Sequence, residues 1–232
     1  TFKIHDAPDG RLKKHREPTP YLGGLAVACG FVIAFGLLAS DTSMGERALG
    51  ILVGAFMMLL LGLYDDLTNL RPGVKFLGQL LAVVALHKAG VRIELAALDF
   101  WGNLALTALW MTGITNAFNI IDVMDGLATG VAFFAAIFLF LISGLTQNDP
   151  QIPFMAVVLA GALLGFLRFN FTPARIFLGD TGSLFIGFMI GALSMLVSYS
   201  GEAGQSELVV FTPLLLLAVP IFDTGFVALH RA

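Results

Sequence analysis

Eight stretches of this chain, 20–40, 47–64, 74–90, 103–121, 127–146, 151–168, 182–200 and 207–229, each read as a membrane-spanning helix. Crossing the hydrocarbon of a bilayer takes about 20 mostly apolar residues in a helix. In lipid, only helices and closed barrels satisfy their own backbone. The charge argues against a water-soluble domain, since 12% of the residues are Asp, Glu, Lys or Arg against about 25% in soluble chains. The 21 Phe and 26 Gly suit helices that approach through small residues and turn apolar rings to acyl chains. The expected fold class is an all-α, polytopic transmembrane helical bundle forming one domain over residues 1–232. The third stretch is the least apolar, interrupted or bordered by Lys75, Gln79, His87 and Lys88. After it, Val91 to Leu95 alternates apolar and polar residues and predicts a short strand, or an external hairpin near 91–100. The first twenty residues are polar and basic, without the apolar core of a cleavable signal peptide. The single Cys29 excludes an internal disulfide.

Eight spans put both ends of the chain on one side. Lys3, Arg11, Lys13, Lys14, Arg16, Arg71, Lys75, Arg168, Arg175 and Arg231 then share that side, leaving Arg47, Lys88 and Arg92 on the other. The positive-inside rule makes the first side cytoplasmic. Asp65, Asp66, Asp122, Asp125, Asp180 and Asp223 all fall at the cytoplasmic ends of spans. One such aspartate would be a helix end meeting water. Several, from different helices at one membrane depth, point to a site, because carboxylates beside hydrocarbon are costly.

Three segments carry the chemistry. Adjacent carboxylates at Asp65 and Asp66 point about 100° apart on a helix end, so one can face a ligand while the other orients a metal or a basic group. Their repulsion calls for a cation, with Arg71 and Lys75 nearest in sequence. In Asn116–Asp125, the residues Asn116, Asn119, Asp122 and Asp125 recur every three positions, and a helix there would line them along one face. Their hard oxygen donors suit Mg²⁺ or Mn²⁺ rather than zinc. In Gly179–Ser183, glycines flank Asp180 at the start of a span, where free amides could hold a phosphate oxygen; the alternative is an ordinary helix cap made by Asp180 or Ser183. Acidic clusters without a Cys or His cage suggest a divalent ion bridging a diphosphate.

The segments GLYDDLTNLRPGVKFLGQ (62–79), NAFNIIDVMDGLATG (116–130) and ARIFLGDTGSLFIGF (174–188) resemble the polyprenyl-phosphate N-acetylhexosamine-1-phosphate transferases. DAPDGRLKKHREPTPYLGGLAV (6–27) resembles that family's first cytoplasmic loop, and all four segments stand in family order. The resemblance implies transfer of a sugar-1-phosphate from a UDP-sugar to undecaprenyl phosphate, with release of UMP and dependence on Mg²⁺, in cell-envelope glycan biosynthesis. It implies Asp65 as the base toward the lipid phosphate, Asp66 as its support, Lys75 as a phosphate contact and Asp180 as the metal ligand. Asn119, Asp122 and Asp125 are implied to line the nucleotide and diphosphate site, with Asn116, His15 and Arg175 as further substrate contacts. His15 followed by Pro18-Thr19-Pro20 and Gly23-Gly24 resembles the branch that uses UDP-GlcNAc, as in lipopolysaccharide and cell-wall assembly.

Further expectations follow from the same resemblance. The partners are a UDP-sugar, undecaprenyl phosphate and membrane lipids, with room for a homodimer and no nucleic acid. The location is a bacterial inner membrane, the active site facing the cytoplasm. Relative to the family pattern, a span before the opening loop and a His-rich loop after Asp223 are missing, so the 232 residues alone are expected to have weak or no activity. Alternatives are an ion-coupled transporter, since intramembrane acids and Gly/Pro-broken helices also mark transport, a relative using UDP-MurNAc-pentapeptide, and a silent scaffold.

Overall fold

The computed structural model describes residues 5–6, 19–38, 45–95, 97–146, 150–199 and 217–231. His15 and the first ten residues of the last expected span lie outside them. The chain forms α1 (Gly23–Leu38), α2 (Glu46–Thr68), α3 (Pro72–Lys88), α4 (Phe100–Ile121), α5 (Leu127–Thr146), α6 (Gln151–Asn170), α7 (Gly179–Tyr199) and α8 (Ala218–Arg231). One two-residue antiparallel pair, β1 (His5–Asp6) with β2 (Thr19–Pro20), precedes them. Each expected span overlaps one of these helices. Five of them, α2, α4, α5, α6 and α7, are long and apolar enough to cross a membrane. The protein is a multi-pass membrane protein built as an all-helical bundle.

α7 is the axis of that bundle. Its residues from Thr181 to Val197 are buried without a break. Its apolar window is 94% enclosed, against 39–44% for the other four long helices, which therefore have lipid-facing sides. A helix that is apolar all round belongs in the interior, and the small residues Gly182, Ser183, Gly187, Gly191 and Ser194 let its neighbours come close. α1, α2, α4 and α5 surround it; α6 packs on α5 and α1, α3 on α2 and α4, and α8 on α4. Buried hydroxyls are satisfied locally: Thr107, Thr112 and Ser143 each donate to the carbonyl four residues back.

Among the described residues, the expected strand or hairpin after α3 does not form. Val91 and Ile93 are buried, as the alternation suggested, but they pack on the bundle rather than on a partner strand. The amides that a ladder would use are taken by side chains of α4: Ile93 N–H donates to Thr107 Oγ1 at 3.0 Å and Leu95 N–H to Asn103 Oδ1 at 2.9 Å. At this end of the molecule Glu46, Arg47, Lys88 and Gly90 line one crevice, which groups two of the three cations assigned to the far side.

Candidate active site

α2 runs past its expected end at 64 and stops at Asn69, whose φ of 53° turns the chain out of the helix. Pro72 then opens α3 at a position where its missing N–H costs nothing. Asp65 and Asp66 therefore stand on the last turn of α2 and diverge. Asp65 is buried; its Oδ1 accepts from Leu70 N–H at 2.6 Å and its Oδ2 pairs with Lys75 Nζ at 2.9 Å. From the first turn of α3, Lys75 Nζ also reaches Asp180 Oδ2 at 2.8 Å and Asn119 Oδ1 at 3.2 Å. Asn119, on the last turn of α4, donates its amide to Asp180 Oδ1 and to Ser183 Oγ. The carboxyl groups of Asp65 and Asp180 thus meet at the Lys75 ammonium. Four helices thus deliver Asp65, Lys75, Asn119, Asp180 and Ser183 to one connected cluster. Arg71, the other cation expected nearby, is exposed at the start of α3.

Asp66 faces the other way. Its Oδ1 accepts from Asp180 N–H at 2.9 Å, and its Oδ2 from Thr181 N–H at 2.9 Å and from Thr181 Oγ1 at 2.5 Å. The amides expected to be free for phosphate are therefore occupied, and α7 is capped neither by Asp180 nor by Ser183 but by a carboxylate 114 residues away in sequence. An acid at this end also complements the positive pole of the helix. Two glycines make the approach possible. Gly62 on α2 lies against the backbone of Asp180 and Thr181 with no room for a Cβ. Gly179 has φ 73°, and a Cβ there would stand 2.9 Å from Asp66 Oδ2.

The expected polar face of Asn116, Asn119, Asp122 and Asp125 is broken, because α4 ends at Ile121 and Asp122 is its C-cap. Residues 122–126 form a turn closed by Gly126 at φ 73°, which moves both aspartates off the helix. Asp125 Oδ2 accepts from Ala174 N–H at 2.9 Å, and the Asp122 carboxyl accepts from Gly179 N–H. Burial, joined by the charges of Asp180, Asp66 and Asp125, holds the Asp122 carboxyl well above the usual carboxylate range, and the Gly179 amide only partly offsets this. Asn116 lies one turn before Asn119, and its amide is matched head to tail with that of Gln79: Gln79 Nε2 donates to Asn116 Oδ1 at 3.1 Å and Asn116 Nδ2 to Gln79 Oε1 at 2.8 Å. Arg175 is exposed, and its backbone N–H donates to Phe169 O.

The segment before α1 reaches the same end. Phe177 N–H donates to Pro20 O, Gly23 N–H to Phe177 O and Gly24 N–H to Leu178 O, strapping the start of α1 beside the start of α7. The three inner segments that resemble the transferases therefore converge on one end of the bundle, joined there by the described residues Pro20, Gly23 and Gly24 of the first. Gln79, Thr181 and Ser183 belong to this network although none was singled out as a site residue. Gln79 carried a signal, an uncharged polar residue one helical turn after Lys75 in an apolar run.

The donors that converge here, two carboxylates and an amide oxygen, are hard oxygens of the kind Mg²⁺ prefers. Among the described residues no three His, Cys, Asp or Glu side chains gather as a metal cage. That suits an ion held through one or two carboxylates and completed by water and substrate phosphates, the usual manner of Mg²⁺.

The profile of the family described as glycosyl transferase family 4 matches residues 48–198. A Bacillus subtilis (strain 168) protein named "Probable undecaprenyl-phosphate N-acetylglucosaminyl 1-phosphate transferase" is 38% identical over 97% of this chain and 63% of its own length. A decaprenyl-phosphate N-acetylglucosaminephosphotransferase of Mycolicibacterium smegmatis is 33% identical over 94% of this chain and 61% of its own length. A phospho-N-acetylmuramoyl-pentapeptide-transferase of Thermotoga neapolitana is 33% identical over 91% of the chain and 69% of its own length. The chain thus spans under two thirds of the first two relatives.

Proposed function

The chain belongs to glycosyl transferase family 4, and from that membership we propose that it moves a sugar-1-phosphate, GlcNAc-1-phosphate or a related N-acetylhexosamine-1-phosphate, from a UDP-sugar to undecaprenyl phosphate. The observation that carries this reading is the meeting of Asp65, Lys75, Asn119 and Asp180 from four helices at one end of the bundle. A lipid phosphate and a soluble nucleotide can meet only at such a membrane boundary. Family membership takes the place of the transporter alternative.

In the proposed reaction an oxygen of the lipid phosphate forms a bond to the β-phosphorus of the UDP-sugar, the bridge to the α-phosphate breaks, and UMP leaves. The protein's task in phosphoryl transfer is mainly to position groups and neutralise charge. Lys75, charged and flexible, would meet the diphosphate oxygens. Asp65 would orient the lipid phosphate rather than strip it of a proton, since a phosphate monoester is largely dianionic near neutral pH. Asp180 and Asn119 would hold Mg²⁺ or Mn²⁺, which would neutralise charge on the phosphates. Asp66, Asp122, Asp125 and the Gln79–Asn116 pair keep the helix ends that carry these groups in place. Arg71, Arg168 and Arg175 fall on the side of the site, which supports a cytoplasmic face in a bacterial inner membrane, with lipids along the exposed apolar outer sides.

The test is an assay of the full-length protein with undecaprenyl phosphate and a panel of UDP-sugars, UDP-MurNAc-pentapeptide included, with Mg²⁺ present or chelated. A lipid-linked sugar diphosphate formed from UDP-GlcNAc, together with UMP, is the expected product. Product from UDP-MurNAc-pentapeptide alone would reassign the donor, and turnover that survives chelation would overturn the metal role.

A further inference from the structure

We propose that the Lys75 ammonium is a tethered stand-in for the divalent cation: it fills the oxygen cradle of Asp65, Asp180 and Asn119 while no ion is bound, and ion and ammonium exclude one another there. The inference deepens the proposed function and rests on its metal assignment. Lys75 Nζ stands 2.9 Å from Asp65 Oδ2, 2.8 Å from Asp180 Oδ2 and 3.2 Å from Asn119 Oδ1. Three oxygens from α2, α7 and α4 therefore already point at one positive centre. An ammonium has three N–H groups and accepts nothing, and all three donors are engaged. A divalent ion placed among the same oxygens would touch Nζ, bringing three positive charges together with no anion between them. The neighbouring acids Asp66, Asp125 and Asp122 are each engaged by backbone N–H groups.

An exit exists. The Lys75 side chain has a flexible four-carbon stem, and the Asp180 side chain is 33% exposed against 9% for Asp65, so the cradle opens on the Asp180 side. An ammonium released there needs a new anion, and a diphosphate provides one. The ion alone must displace the lysine and binds weakly; an anionic ligand that draws the lysine away strengthens ion binding, and by reciprocity the ion strengthens binding of that ligand.

The experiment measures Mn²⁺ binding to the purified full-length protein by electron paramagnetic resonance, without substrates. Lys75→Met should bind Mn²⁺ about tenfold tighter than wild type, as expected when a like charge is removed from beside the site, while Lys75→Arg should stay near wild type. Adding Asp180→Asn to Lys75→Met should abolish the gain. A measurement on the unmutated protein runs in parallel: saturating Mg²⁺ should raise the rate at which acetic anhydride modifies Lys75, read by mass spectrometry. Mn²⁺ affinity that is equal or weaker in Lys75→Met, or a Lys75 modification rate that does not change as the ion binds, would overturn the inference. No Mn²⁺ bound by any variant, with turnover indifferent to chelation, would instead remove the metal reading beneath it.

Discussion

Asp66, on the last turn of α2, holds Thr181, on the first turn of α7, through both the amide and the hydroxyl of that residue. The same carboxylate takes the amide of Asp180, so the side chain that caps α7 also sets where the Asp180 carboxyl points. Asp66→Ala should lower stability by about 2 kcal/mol or more, the scale of lost hydrogen bonds to a charged group, and should remove activity with it. Asp66→Asn keeps one acceptor oxygen and should fall between. Thr181→Val gives up only the hydroxyl and should cost about 1 kcal/mol. Thermal melts in detergent beside turnover check the order; equal melting of Asp66→Ala and Thr181→Val would refute it.

Asp65→Asn and Asp180→Asn should each cut turnover by about 10²–10³-fold, the range found when one aligned electrostatic group is removed from a reacting centre. Melting should change little, because both positions keep their shape and Asp180 is partly open to solvent. Radiolabelled sugar-phosphate appearing in lipid is the readout. Full activity in either variant would break the assignment of the cluster as the site.

Asp122 gives a pH dependence with a definite sign. Its carboxyl is raised in the folded protein above the ordinary value of 3.8, so between those two values the folded state keeps a proton that the unfolded state has lost. Stability therefore falls as pH rises from about 4 through the raised value. Below that window both states are protonated, and above it the burial cost is fully present. Asp122→Asn stays neutral while still accepting from Gly179 N–H, so its melting advantage over wild type should grow as pH rises from about 4 and then level off. A constant difference across a chelator-treated pH series would contradict this.

The paired amides of Gln79 and Asn116 join α3 to α4 just beneath Lys75 and Asn119. A double-mutant cycle with Gln79→Leu and Asn116→Leu should give a coupling of about 0.6–2 kcal/mol, as for hydrogen bonds between membrane helices. The double variant should be less damaging than the sum of the singles, because each single variant leaves the partner amide without its match. Strict additivity, measured by melting, would show that the pair does not act as a unit.

The helices were legible in the order of apolar runs, since each run has to satisfy its own backbone in lipid. Hydropathy is summed along one helix, however, and carries no record of which helix lies in the middle. That α7 is enclosed and α5 is not came only from the packing. The acids were legible as a set at one depth, but their pairings were not: Asp65 and Asp66 are adjacent in sequence, yet one meets Lys75 and the other the start of α7. The regular spacing from Asn116 to Asp125 misled, because α4 stops at Ile121 and the chain turns before Gly126. The alternation at Val91–Leu95 misled for the opposite reason, since Thr107 and Asn103 supplied the bonds a strand would have needed.

The enclosure of α7 also bears on the bilayer around the protein. A mismatch between helix length and hydrocarbon thickness is relieved by tilting the helices that touch lipid, and α7 is walled off by α1, α2, α4 and α5. Asp180 therefore rides on the element least exposed to changes of membrane thickness or acyl-chain length, while the outer helices absorb them.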